Sequence, residues 1–455
     1  MNNKKYKFLL NNLDKAENGL IIDEKEWDRH YIGDNIKRLI EKYDVSWNEG
    51  NPFVPDDDAL ADRVFEAGFE LACETGVYCI DTKRQIKWSR AELEEILSQY
   101  PGEFVLGTGE DRVTVSSRKP EDPKKVVVYG GPFGIPVSEE LFIPFHEAYA
   151  KETLIEILNL GTILSTHGRM IRAGSPWEAV AARQESQMAL DILKKVGRPG
   201  MPVGCVEIAT TEVGELAGTT YGGYRPTDIH KVNFVSEQKT AYHHLTKATH
   251  YLHTDAFSEA YCNPIYGGYV GGSVGVAIAS VSGLILLQAC YLGTLHNLGP
   301  THIHLSASTH PGIIKAMAVA FQGVSRHTNL IISPFVRPVA GPGTKDILYE
   351  CAALVIASVA SGVSYIDVVQ SATGNIEAQA SPLEVRFGAQ IAHAAQGLSR
   401  KEADKIVRDL VGKFAGIQKE KRIGKPFTEV YDLKTLRPTS EWQTMFEETC
   451  EEMRS

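Results

Sequence analysis

From Lys125 onward the chain repeats one pattern, a short apolar run followed by a stretch long enough for a helix. The runs are KVVVYGG (125–131), LNLGTILSTHG (158–168), MPVGCVEIATT (201–211), DAFSEAYCNPIYGG (255–268), PTHIHLSAS (300–308), TNLIISPFVRP (328–338) and VSYIDVVQSATG (363–374). Short apolar strands that alternate with helices pair in parallel, because a helical crossover brings the chain back to the same end of the sheet. The repeat therefore predicts a parallel α/β core, with an eighth strand expected in the irregular stretch between residues 211 and 227. A doubly wound nucleotide fold would need a Gly-rich fingerprint after an early strand. Neither GTGEDR (107–112) nor YGGYVGG (266–272) completes one, and AGPGTKD (340–346) lacks the leading half of a phosphate loop. A (β/α)8 TIM barrel accommodates the repeat better.

Residues 1–120 have a different texture, charged and mixed. An amphipathic helix is expected from about Asp58 to Glu74, then a hairpin over 77–88, then a helix opened by Ser89 and Glu92 at capping-box spacing. These residues form an expected N-terminal, mostly helical extension; the barrel is expected over 121–415, and 416–455 as a C-terminal extension packed on it. The run VGVAIASVSGLILLQACYLGTL (274–295) is long enough to span a bilayer. It carries Ser280, Ser282, Gly283 and Gln288 and has no flanking Lys or Arg, so a helix buried within the protein is the better reading.

A net charge of −10 argues against a surface that tracks nucleic-acid phosphates. The seven cysteines show neither paired zinc spacing nor a dense framework, and the amino-terminal segment lacks an apolar signal core. A cytoplasmic protein with reduced thiols and no membrane segment is expected, acting on small molecules or other proteins.

In a barrel of this type the site forms at the C-terminal ends of the strands, where the βα loops open. The polar and aromatic residues there are Thr166, His167, Glu207, Tyr261, Cys262, Asn263, Tyr266, Tyr269, His302, His304, Phe335, Arg337 and Gln370. Side chains on a strand alternate faces, so about half of such a set would point away from the mouth. His302 and His304 share a strand face as in some metal sites, yet no third ligand stands at a recognisable spacing, and no metal is expected. Arg337, between Val336 and Pro338, requires either a structural carboxylate or an anionic ligand. The aromatic rings of Tyr261, Tyr266, Tyr269 and Phe335 could pack as ordinary core or wall a cage for an onium group. Together with Arg337 they point to a zwitterion.

The segments EFVLGTGEDRV (103–113), YGGPFGIPVSEE (129–140), SPWEAVAARQE (175–185), GRPGM (197–201), PIYGGYVGG (264–272), AGPGT (340–344) and KTLRPTSEW (434–442) resemble, in order and spacing, the monomethylamine methyltransferases of methanogenic archaea. The resemblance covers nearly the whole chain. It implies a (β/α)8 barrel, a homo-oligomer, and transfer of a methyl group from a small methylated amine to the cobalt(I) of cobalamin, a corrinoid carried by a cognate partner protein.

The departures concern the centre of the barrel. The position that matches the family's pyrrolysine is Gly204, which is expected to leave that space open. Two family carboxylates match Lys231 and Tyr261, a glutamine matches Phe335 and a tyrosine matches Arg337, while Glu207 is retained. The resemblance thus implies a reaction at Gly204 and Glu207 and substrate contacts at Lys231, Tyr261, Phe335 and Arg337, to which the reading of strand ends adds Tyr266 and His304. The expected donor is a quaternary or zwitterionic, betaine-like methylamine, used without pyrrolysine. The alternatives are another N-methyl or O-methyl donor, or a non-catalytic binding homologue.

Overall fold

The computed structural model describes residues 3–205 and 211–454. Its centre is a closed ring of parallel strands: β1 (Val127–Gly130), β2 (Ile157–Leu158), β3 (Gly204–Cys205), β4 (Ile229–Asn233), β5 (Phe257–Cys262), β6 (Leu295–Leu298), β7 (Ile332–Pro334) and β8 (Tyr365–Val368). Ladders join β3 through β7 in chain order, and β8 to β1 to β2. Parallel bridges at Leu158–Val203 and Phe335–Asp367 close the two seams. A helix follows each strand, at Glu139–Ala150, Pro176–Lys195, Glu212–Gly218, Tyr242–His253, Ser273–Tyr291, Pro311–His327, Lys345–Ala360 and Pro382–Ala394. The architecture is the (β/α)8 barrel that the repeat predicts.

Two strands lie elsewhere than expected, for physical reasons. The stretch 211–227 holds a short helix, Glu212–Gly218, whose Thr211 cap accepts from the Val213 N–H at 3.3 Å; the strand follows at Ile229–Asn233. That strand is hard to see because both of its faces carry buried charge-bearing groups. His230 faces the helix layer and meets Glu215 at 3.0 Å, while Lys231 faces inward. The sixth strand is Leu295–Leu298, not 300–308. The long apolar run is divided: its helix ends at Tyr291, where Leu292 turns left-handed at φ +55°, and the remaining apolar residues enter the barrel. The Ser273–Tyr291 helix, long and apolar enough to cross a membrane, is buried inside the fold. Asn12 from the first helix donates to its last carbonyls, at 2.7 Å to Ala289 and 3.1 Å to Cys290.

The two ends of the barrel differ. A hairpin, Glu103–Leu106 with Val113–Ser116, crosses the amino-terminal end. The Gly107 N–H donates to Thr227 at 2.9 Å and Thr108 to Gly200 at 2.8 Å, and Phe104 packs edge-on against Phe257 with ring centres 5.7 Å apart. The carboxyl-terminal end carries the βα loops. At the carboxyl terminus of the chain, the helix Ser440–Arg454 packs on the outer helix layer, with Trp442 Nε1 donating to Ser381 Oγ at 3.0 Å.

One buried histidine holds the loop after β2. His146 Nδ1 lies 2.7 Å from the Phe142 carbonyl, and the Gly161 N–H donates to Nε2 at 2.8 Å, so the ring is neutral with its proton on Nδ1. Burial pushes its pKa down to about 4. A base with a lowered folded-state pKa contributes stability above its ordinary value near 6.5, and that contribution is lost as pH falls toward 4. In His146→Gln, whose amide offers a donor and an acceptor without titrating, the fall in melting temperature between pH 7 and pH 5 should be smaller than in the wild type. An equal fall in both would show that His146 does not contribute to acid sensitivity.

Candidate active site at the open end of the barrel

Residues two apart on a strand share a face, so β5 directs Glu259 and Tyr261 inward in successive layers, Tyr261 nearer the open end. In the lower layer, Lys231 Nζ from β4 lies 2.5 Å from Glu259 Oε2 and 4.0 Å from Asp367 Oδ2 of β8. Glu259 Oε1 also accepts from Tyr365 Oη at 2.6 Å and Asn297 Nδ2 at 3.3 Å. Asp367 accepts from Asn159 Nδ2 at 3.0 Å and Asn297 Nδ2 at 2.7 Å. All of these side chains are buried. Burial raises the Asp367 pKa, nearby Glu259 pushes the same way, and Lys231 opposes both. The Lys231 ammonium further lies 4.5 Å from the centre of the Tyr129 ring and 4.4 Å from that of Phe133. Opposite charge, hydrogen bonds and aromatic faces together offset the desolvation of three ionisable groups.

Gly204 faces this layer, but the expected open space is not there. A Cβ built on Gly204 would fall 1.8 Å from Tyr129 Oη and 2.9 Å from Asn159 Oδ1. The glycine makes room for a phenol reaching across from β1, and the phenol fills the space. Glu207 lies outside the described residues.

The layer above forms the mouth. The Phe335 ring meets Tyr261 at 5.7 Å and 80°, and Phe133 at 5.2 Å and 76°, three rings packed edge to face. Gln370 Nε2 donates to the Phe133 carbonyl at 2.6 Å and fixes the loop that presents this ring. Arg337 is held through its backbone: its N–H donates to Ser308 Oγ at 2.8 Å, and its carbonyl accepts from the Ser308 N–H at 2.8 Å. Its partly buried guanidinium makes no ion pair among the described residues, and its Nε, shielded from solvent, meets no acceptor. Burial lowers the Arg337 pKa and neighbouring Tyr261 opposes the shift; the group stays a cation. Burial likewise raises the Tyr261 phenol, which Arg337 opposes.

Tyr266 and His304 belong to a separate cluster on the ribbon formed by Ile265–Tyr266 and Thr301–His302. Tyr266 Oη donates to Glu49 at 2.7 Å, and its ring stacks on His302 at 5.1 Å and lies 4.9 Å from His310. His302 Nδ1 accepts from the His304 N–H at 3.1 Å, and burial holds His310 near 4. Burial lowers His302 as well, and the rings pack on one another. Among the described residues no three His, Cys, Asp or Glu side chains converge as metal ligands.

The structure therefore brings Tyr261, Phe335 and Arg337 to one mouth with Lys231 beneath them, and packs Tyr266 and His304 into the histidine cluster of the neighbouring ribbon. Reading only strand ends missed Tyr129, Phe133, Asn159, Glu259, Asn297 and Asp367. For Glu259 and Asp367 the signal was present, since an acid in the middle of an apolar strand, as in FSEAYC or YIDV, needs an inward polar partner.

A family model for the monomethylamine methyltransferase MtmB matches residues 8–455. The chain belongs to this family. The MtmB2 enzyme of Methanosarcina acetivorans is 32% identical over 435 residues, 95% of this chain and 94% of that one. MtmB of Methanosarcina mazei is 31% identical over 434 residues, with the same coverage. The crystal structure of Methanosarcina barkeri MtmB superposes with a TM-score of 0.95 at 30% identity, covering 98% of this chain and 97% of that one. A crystal structure of a hydroxylamine complex of MtmB matches with the same TM-score, identity and coverage. As a member of the monomethylamine methyltransferase family, the protein is a methyltransferase.

Proposed function

We propose that this methyltransferase moves a methyl group from a quaternary or otherwise activated methylamine bearing a carboxylate to a corrinoid held by a separate protein, and does so without pyrrolysine. The observation that carries the donor class is Arg337, a cation at the mouth with no carboxylate of its own among the described residues, beside the rings of Phe133, Tyr261 and Phe335. A guanidinium takes a carboxylate through paired N–H donors, and ring faces take an onium group.

The reduced cobalt of the corrinoid supplies the nucleophile. A quaternary nitrogen already carries the positive charge that lets it depart as a neutral amine, so the chain needs no proton transfer at that atom. Its residues orient and enclose. Arg337 fixes the anionic end, the three rings hold the onium end and keep water away, and Gln370 keeps Phe133 in place. Tyr261, Phe133 and Arg337 each keep some exposure, so a donor held among them is reachable from outside by a partner-borne acceptor.

The relatives are named for monomethylamine. A small cation at the centre of this barrel would face the Lys231 ammonium, which opposes that donor here. The test is methyl transfer to added cob(I)alamin, with a corrinoid protein of the same organism supplied in parallel, across primary, tertiary and quaternary methylamines. Transfer from a carboxylate-bearing quaternary donor is expected. Transfer from monomethylamine alone would overturn the proposal.

A further inference from the structure

The Lys231 ammonium is held as a small ammonium ligand would be held. It rests on the Glu259 carboxylate at 2.5 Å, with the Asp367 carboxyl at 4.0 Å, and lies over the faces of Tyr129 and Phe133 at 4.5 and 4.4 Å. A carboxylate pair and two aromatic faces are the means by which proteins recognise free ammonium and methylammonium groups. Here the cation arrives on the end of a lysine stem from the wall of the barrel. Glu259 and Asp367 are each 1% exposed, so two neighbouring acids are kept from water and require a cation or a proton between them. Phe133 is shared, its ring meeting both Lys231 and Phe335, a wall of the mouth.

We infer that Lys231 is the built-in occupant of a cation site and sets donor specificity by occupying it. Its ammonium takes the place a methylammonium ion would fill and confines the donor to the layer between Phe133, Tyr261, Phe335 and Arg337. The inference deepens the proposed function and rests on it only for the identity of the donor above. The occupied site itself is tested by stability rather than turnover, so either idea can fail without the other.

The experiment is thermal unfolding of the full chain carrying Lys231→Ala, in methylammonium chloride against equal sodium chloride. Removing the lysine leaves the two acids without their cation in a space of ammonium size. The melting temperature of the variant should rise saturably with methylammonium, on the order of 2 °C or more at high occupancy, and hardly at all with the bulkier tetramethylammonium. The wild type should not distinguish methylammonium from sodium. Neither should Lys231→Met, which refills the space without charge, nor the double variant Lys231→Ala/Glu259→Gln, which lacks the carboxylate. Should Lys231→Ala fail to fold in sodium chloride, recovery of folded protein on refolding should require methylammonium. No preference for methylammonium in either format, or an equal response in the wild type, would overturn the inference.

Discussion

Gly204→Ala should destabilise the barrel by about 1–3 kcal/mol, read as a clear fall in melting temperature, although alanine is the smallest substitution available. The added methyl would meet Tyr129 Oη at 1.8 Å and Cζ at 2.7 Å. The phenol has little room to retreat. Its backbone is fixed in β1 between Asp367 and Ile157, the Lys231 ammonium lies over its face, and the Tyr365 ring stands 6.4 Å away. Shortening the opposing side chain should relieve the contact. Tyr129→Leu alone leaves a cavity, but combined with Gly204→Ala it should lose less stability than the two single changes added together, by on the order of 1 kcal/mol. A Gly204→Ala variant that melts with the wild type, or strict additivity in the pair, would show that the phenol does not sit against Gly204.

Arg337→Ala should lower kcat/KM for a carboxylate-bearing donor by tenfold to a hundredfold, corresponding to about 1.5–3 kcal/mol for a charge-assisted contact in a partly desolvated mouth. Most of the effect should appear in KM, because the guanidinium is proposed to hold the end of the donor remote from the methyl group. Arg337→Lys keeps the charge without the planar pair of donors and should fall between the two. Alanine at Tyr261 or Phe335 should weaken onium binding by about 0.5–2 kcal/mol each, less than the loss of Arg337. For a quaternary donor without a carboxylate, Arg337→Ala should change little. Unchanged kinetics of a folded Arg337→Ala variant with the carboxylate-bearing donor would remove the zwitterion from the proposal.

The barrel was legible because apolar runs and helical stretches alternate, and parallel pairing follows from that order alone. Individual strands were less so. A polar strand such as IHKVN conceals its two buried faces by burying charges in pairs, and nothing local marks the partner of His230 as Glu215 or that of Lys231 as Glu259. The end of the Ser273–Tyr291 helix was hidden for another reason, since Leu292 adopts a left-handed conformation that its residue type does not announce.

At the site, Tyr261, Phe335 and Arg337 could be read as strand-end residues, and they converge. Tyr266 and His304 could be read the same way, but they stand in a loop and ribbon packed on Glu49, His302 and His310. Gly204 is the most instructive case. A glycine in a strand declares that something lies close, and the sequence cannot say whether that neighbour is a ligand or, as here, a phenol from two strands away.

The most direct measurement of the central proposal compares two quaternary donors of similar onium group, one a trimethylammonium carboxylate and the other tetramethylammonium, in methyl transfer to cob(I)alamin by the purified protein with its corrinoid partner. A kcat/KM at least tenfold higher for the carboxylate-bearing donor, with monomethylamine inactive, is the predicted result. Equal rates for the two quaternary donors, or activity with monomethylamine only, would contradict it.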